Sequence, residues 1–166
     1  MKPKFSSFII AIAASVPLAH GALADMLTTH RIPAALALEA VEEAVAACAK
    51  QGYAETAVVV DADGVRQAVL RGDRAGRHTL DSAFEKAYTS ASFKTDTSAL
   101  IERAKTAPLL AALIAKLPDT LLLGGGLVIK VDDEVVGAIG AGGAPGGDLD
   151  DACARAGLDK IRDRLK

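Results

Sequence analysis

The spacing of apolar positions shifts along the chain between helical and alternating patterns, and each shift marks an element. From Pro33, which suits a first helical position, Ala34, Leu38, Val41, Val45 and Cys48 recur on one helical face, Glu39, Glu42, Glu43 and Lys50 fall elsewhere, and Gly52 ends the pattern. "TAVVVD" (56–61) and "VRQAVLR" (65–71) flank Ala62-Asp63-Gly64, which reads as strand, turn and strand. Thr79 is placed to cap the following helix, with Asp81 near its positive end; Leu80, Ala83, Phe84, Ala87 and Ala91 form the buried stripe, and Glu85, Lys86, Thr89 and Ser90 the outer side. Residues 98–116 also read as helical, but Pro108 predicts a division into two short helices. "LLLGGGLVIKV" and "VVGAIGA" are strand-like runs joined by Asp132-Asp133-Glu134, a second hairpin. Asp148, after "GGAPGG", is the expected cap of a last helix in which Ala154, Leu158, Ile161 and Leu165 share a face with Cys153 at its edge. Strands that come in hairpins, in the order α-β-β-α-α-β-β-α, predict an α+β fold: an antiparallel sheet of hairpins covered by helices.

Ahead of this pattern, Lys2 and Lys4 precede an apolar run from Phe8 to Ala19, and Ala22-Leu23-Ala24 has the small-x-small form of a cleavage site. Residues 1–24 therefore read as a secretory signal peptide, leaving residues 25–166 as a single domain in the periplasm or outside the cell. The run is too short for a transmembrane helix, and no later segment is long and apolar enough for one. Loss of Lys2 and Lys4 takes the formal charge from -2 to -4. With no basic run interleaved with aromatics, nucleic acid is rejected as a partner. Export also changes what two cysteines mean, since thiols outside the cytoplasm tend to pair. Cys48 and Cys153 are disulfide candidates whose bridge would contribute about 4 to 5 kcal/mol in the chain-entropy model; the alternative is two separately buried thiols.

Several motifs fail on spacing. In "GAGGAP" the third glycine of a G-x-G-x-x-G register would be Pro145, the "GGG" at 124–126 runs into a strand, and no G-K-[ST] occurs. His78, Asp81 and Ser82 carry the letters of a hydrolase triad but sit within one helical turn, whereas triad members converge through the fold. No C-x-x-C, H-E-x-x-H or zinc-like cluster is present.

What remains is "RGDRAGRHTLDSAFEKAYTSASF", residues 71–93, where His78 follows Arg71, Arg74 and Arg77 in a loop before a helix. Imidazole is a usual ligand of haem iron, and guanidinium groups match propionate carboxylates in geometry and charge. A haem edge could be held here, with His78 on the metal and Arg74 and Arg77 towards the propionates. Other side chains able to reach iron are His30, Met26, Tyr53, Tyr88 and the two cysteines; a disulfide would silence the cysteines, His30 and Met26 fall in an expected mobile N-terminal stretch, and Tyr53 is expected to open a strand. The competing reading is a solvated turn whose arginines keep an exported protein soluble.

"RGDRAGRHTLDSAFEKAYTSASFKTDT" together with "LLLGGGLVIKVDDEVVGAIGAGGAPGGDLDDACARAG" resembles the GlcG/HbpS family of haem-binding proteins, whose related domain also ends some corrinoid adenosyltransferases. The resemblance rests on an Asp-x-x-Gly turn (Asp61 to Gly64), the arginine-rich loop, the Lys86 to Thr89 helix and a glycine-rich hairpin before the final helix, in that order. It implies an α/β sandwich with an antiparallel sheet, homo-oligomeric assembly and haem binding, in some members with haem breakdown or redox sensing. It also implies His78 or Thr79 at the iron and adds Lys86 to the cofactor-binding positions. Two departures stand out: Arg74 occupies a position that is often glycine in the family, and Ala141-Gly142-Gly143 replaces the usual Val-Ser-Gly.

The leading expectation is an exported protein that captures, buffers or senses haem. The alternatives are a non-haem accessory domain of a transport or oxidative pathway and a haem-degrading enzyme, for which no acid-base constellation is evident. If residues 1–24 are a signal peptide, the mature protein starts at Asp25; the intact mass of protein recovered from the exporting cell checks this, and a mass retaining those residues refutes it.

Overall fold

The computed structural model describes residues 28–166; the expected signal segment and its cleavage site lie outside the described residues. Helix α1 (Ala34–Lys50) precedes a hairpin of β1 (Thr56–Asp61) and β2 (Arg66–Arg71), followed by α2 (His78–Phe93), α3 (Thr97–Thr106) and α4 (Pro108–Ile114). A second hairpin, β3 (Gly126–Val131) and β4 (Glu134–Gly142), leads to α5 (Gly147–Ile161) and a terminal 3-10 turn. All pairings are antiparallel in the order β2-β1-β4-β3, so each hairpin supplies one central and one edge strand. The α+β architecture expected from the sequence is present.

Central strands covered on both faces explain the unbroken apolar run in β1. Val58 and Val60, with Ala138 of β4, pack under Ala83, Phe84, Ala87 and Ala91 of α2. Ala57 and Val59 point the other way, with Leu127, Ile129 and Ile139, into the core closed by α1 and α5. Edge strand β2 is less covered: Val69 is 43% exposed, while Arg66 stacks its guanidinium over the Phe84 ring.

Several element details differ from the sequence reading. In α1 the buried face is Leu36, Ala37, Ala40, Val41, Ala44 and Cys48, not the stripe through Ala34 and Leu38; Leu38 is 49% exposed. Small residues face inward because α1 lies tightly against α5, so close that a Cβ on Gly157 would stand 2.3 Å from the Ala40 carbonyl oxygen. Pro33 is the N-cap rather than the first helical residue. Pro108 divides α3 from α4 as expected and occupies a first-turn position of α4. β3 starts only at Gly126, because Gly125 takes a φ of 117° that breaks the apolar run "LLLGGG". The last helix is capped by Gly146 rather than Asp148, which sits in the first turn where its charge opposes the helix dipole favourably.

With α1 and α5 on the same sheet face, Cys48 and Cys153 are joined by a disulfide with Cα atoms 5.5 Å apart. Both cysteines are completely buried.

The α1/α5 contact generates a prediction with a diagnostic sign. Alanine is favoured over glycine inside a helix by about 1 kcal/mol, yet Gly157→Ala should destabilise by about 1–3 kcal/mol because the added methyl meets backbone that cannot give way. Thermal or urea unfolding measures it; stabilisation by Gly157→Ala would refute the close approach.

Candidate functional site

The end of β2 passes to α2 through residues 72–77, a loop pinned at both ends. Gly72 N–H donates to the Glu55 carbonyl at 2.8 Å, and Ala75 N–H donates to Gly72 O at 3.1 Å, closing a tight turn around Asp73 and Arg74. Arg71 Nη1 donates to Ala75 O at 2.9 Å and braces the same turn. Arg74 has a φ of 65°, the left-handed region that glycine adopts without strain. Arg74 takes up this backbone conformation and adds a cation to the turn. Arg74 lines an open cleft of about 320 Å³ with Asp73, Ala49, Gly52, Tyr53 and Ala54. Tyr53 precedes β1 rather than opening it.

Helix α2 starts at His78 with Arg77 as N-cap and no side-chain cap, so Thr79 is not the capping residue the sequence predicts. It is instead 2% exposed, its hydroxyl donating to Gly76 O at 2.6 Å and lying 2.6 Å from the Thr56 hydroxyl. One hydroxyl proton serves each bond, so Thr56 donates to Thr79. That pair ties the first turn of α2 to the start of β1.

His78 itself is exposed. Its imidazole folds back over Gly76, where a Cβ would stand 2.6 Å from His78 Cε1, and among the described residues its ring makes no hydrogen bond. Arg77, also exposed, reaches Asp81 at 3.4 Å, a surface pair of small energetic value that leaves the guanidinium free to turn. His30 differs: its N–H and ring Nδ1 engage the Glu134 carboxylate at 3.1 and 2.6 Å, which holds a stretch expected to be mobile. That contact keeps Glu134 below the usual carboxylate range. Tyr88 packs beside Phe84, ring centroids 5.8 Å apart. Met26 lies outside the described residues.

Lys86 is not on the outer side of α2. It is 1% exposed, and its ammonium donates to Asp150 Oδ2 of α5 at 2.5 Å and to Ala141 O of β4 at 3.0 Å. Thr89 and Ser90, also read as outward, are buried. Arg74 thus lies in the loop, Arg77 at its end and His78 at the first residue of α2, all three exposed, whereas Lys86 lies in a separate interior cluster.

That cluster contains a residue the sequence reading missed. Glu55, just before β1, is completely buried with Oε2 3.3 Å from Cys48 Sγ, while Oε1 has no hydrogen-bond partner. Asp150 accepts a second bond, from Ala144 N–H at 3.0 Å. Burial, then the neighbouring Asp150 charge, push the Glu55 carboxyl up to about 8, with Lys86 opposing the shift. A glutamate adjoining a strand reads as a solvated end; only its tertiary neighbours reveal it.

A family model described as haem degrading protein HbpS-like matches residues 32–159. Among solved structures, a double mutant of HbpS from Streptomyces reticuli is 38% identical, with 90% of this chain and 97% of that chain covered and a TM-score of 0.74. The protein ORFY of Klebsiella pneumoniae is 23% identical, with 85% and 98% covered and a TM-score of 0.77. A PduOC:heme complex is 23% identical, with 74% and 89% covered and a TM-score of 0.69. The last two share the fold. None of the curated proteins matches the sequence significantly.

The interior cluster sets a pH dependence. Because the folded-state pKa of Glu55 lies above its unfolded value of 4.5, its contribution to stability is fully present below pH 4.5 and is lost as the pH rises towards about 8. Glu55→Gln should therefore be more stable than wild type at pH 8, with a smaller difference at pH 5; denaturant midpoints across this range test it, and parallel curves refute it.

Proposed function

The chain belongs to the HbpS-like family, and on that premise we propose that it is an exported haem-binding protein that captures or buffers haem through the loop at residues 72–78. The observation that carries the reading is His78: an exposed imidazole without a hydrogen-bond partner among the described residues, at the first residue of α2, directly after a braced loop that carries two exposed arginines. Neutral imidazole binds haem iron through a ring nitrogen, and Arg74 and Arg77 supply cations for propionates. Bound haem supplies a redox-active iron; the protein supplies the ligand, the charge and a loop that loses little freedom on binding.

Thr79 and Lys86 act behind this loop in the proposal. Thr79 fixes the first helical turn through Thr56, and Lys86 anchors α2 to α5. Self-assembly belongs to the same reading. On and just after α4, Leu109, Leu113 and Leu117 are 72, 55 and 49% exposed at successive four-residue intervals, a stripe that a second copy would cover. No helix among the described residues is long and apolar enough to cross a membrane.

Hemin titration of the mature protein, followed by absorbance, tests the reading. Wild type should develop a Soret band, and its absence refutes haem binding. His78→Ala should lose or shift that band and weaken binding by more than about tenfold, and Gly76→Ala should weaken it in the same direction by displacing the ring. His30→Ala, which removes an imidazole already held by Glu134, should bind as wild type does. An unchanged spectrum and affinity in His78→Ala removes the ligand assignment.

A further inference from the structure

The disulfide has a titratable neighbour that haem binding does not use. Glu55 Oε2 lies 3.3 Å from Cys48 Sγ in a fully buried site. Neither sulfur of a disulfide carries a proton, so this contact is no hydrogen bond in the oxidised protein; the carboxyl instead shares a hydrogen bond with the Asp150 carboxylate and accepts from the Ala144 backbone. A buried carboxyl held in its protonated form beside a sulfur is a proton carrier within reach of that sulfur. The groups around it are Cys48 of α1, Asp150 and Cys153 of α5, Lys86 of α2 and the backbone of Ala144. Lys86 and Asp150 form an ion pair at 2.5 Å, and Glu55, held protonated by burial and by Asp150, is the proton-carrying group beside Cys48.

We propose that Glu55 is the proton acceptor and donor of Cys48 in thiol–disulfide exchange, making Cys48–Cys153 a proton-coupled redox centre distinct from the haem loop. In oxidation by an external disulfide, Cys153 first forms a mixed disulfide with the oxidant, releasing one of its thiols. The Cys48 thiol then passes its proton to the Glu55 carboxylate, and the thiolate attacks Cys153 Sγ. The Cys48–Cys153 bond forms, the mixed disulfide breaks, and the oxidant leaves as a dithiol after taking up a proton. The two electrons lost by the cysteine pair reduce the oxidant. Reduction by a dithiol is the reverse, with the protonated Glu55 carboxyl neutralising the departing Cys48 thiolate. Because both sulfurs are buried, exchange proceeds through local opening of the α1/α5 contact.

The proposal has an equilibrium signature. In the oxidised state Glu55 has no thiol donor, and burial holds its proton on; in the reduced state the Cys48 thiol can donate to the carboxylate and favours ionisation. Reduction then releases the Glu55 proton, and linkage makes the exchange constant against dithiothreitol rise with pH, by up to about tenfold per unit below pH 8.

The test equilibrates haem-free mature protein with reduced and oxidised dithiothreitol from about pH 6 to pH 8. The fraction reduced is read by alkylation and mass, and far-ultraviolet circular dichroism follows the fold of the reduced protein. The expected result is a constant that rises with pH in wild type and stays flat in Glu55→Gln, with the native spectrum kept on reduction. A flat wild-type constant overturns the proposal without reference to any variant. An equal rise in Glu55→Gln assigns the proton elsewhere, and loss of the native spectrum assigns it to unfolding; either outcome also overturns the proposal. Haem is absent throughout, so the result is independent of the haem reading.

Discussion

The ion pair between Lys86 and Asp150 is the constraint around which the two faces of the molecule are arranged. Lys86 rises from the helix on one face of the sheet, Asp150 from a helix on the other, and both are almost fully withdrawn from water. Two charges at such a site lose hydration worth several kcal/mol each, so the pair persists only where geometry and further hydrogen bonds return that loss. Here Ala141 O and Ala144 N–H provide those bonds from the end of β4 and the loop after it. The pair therefore fixes three elements together, and sliding α2 or α5 along the sheet would leave a buried charge alone. Apolar packing holds these layers together; the ion pair specifies their register.

The candidate haem loop inherits its rigidity from the same region. Residues 55 and 56 flank the start of β1, and each reaches the segment in a different way: Glu55 through its carbonyl to Gly72, Thr56 through its hydroxyl to Thr79. Adjacent positions thus hold both ends of the segment carrying Arg74 and His78. Arg74 tolerates a left-handed backbone because the bonds on either side define the turn.

Much of the architecture was legible in the sequence because hairpins and helices have different apolar periods. The Ala62-Asp63-Gly64 and Asp132-Asp133-Glu134 turns, the division at Pro108 and the pairing of the two cysteines all followed from local chemistry and the inferred compartment. The inward face of α1 did not. Its contact with α5 sets Ala40 and Ala44 against Gly157, with Ala37 also buried, residues too small to dominate a hydropathy pattern, and Leu38 drew the reading to the wrong register. His78, read as a loop residue before a cap at Thr79, is instead the exposed first residue of α2, because the helix starts ahead of Thr79 without a side-chain cap. Lys86, Thr79 and Glu55 were misplaced or missed for one shared reason. A polar side chain reads as solvated until its partner is known, and the partners of Lys86 and Thr79 are 64 and 23 residues away in sequence.

The covalent link between the first and last major helices also sets the topology of the chain. All four strands, the candidate haem loop and helices α2 to α4 lie inside one closed ring between positions 48 and 153. A single protease cut in that ring, at the exposed leucines of α4 for example, opens the ring but separates nothing. Nicked molecules keep the mass of the intact chain plus one water and part only when a reductant is added. Damage to this protein outside a reducing compartment is thus retained as a tethered pair of fragments, each still bound to the helix it packs against.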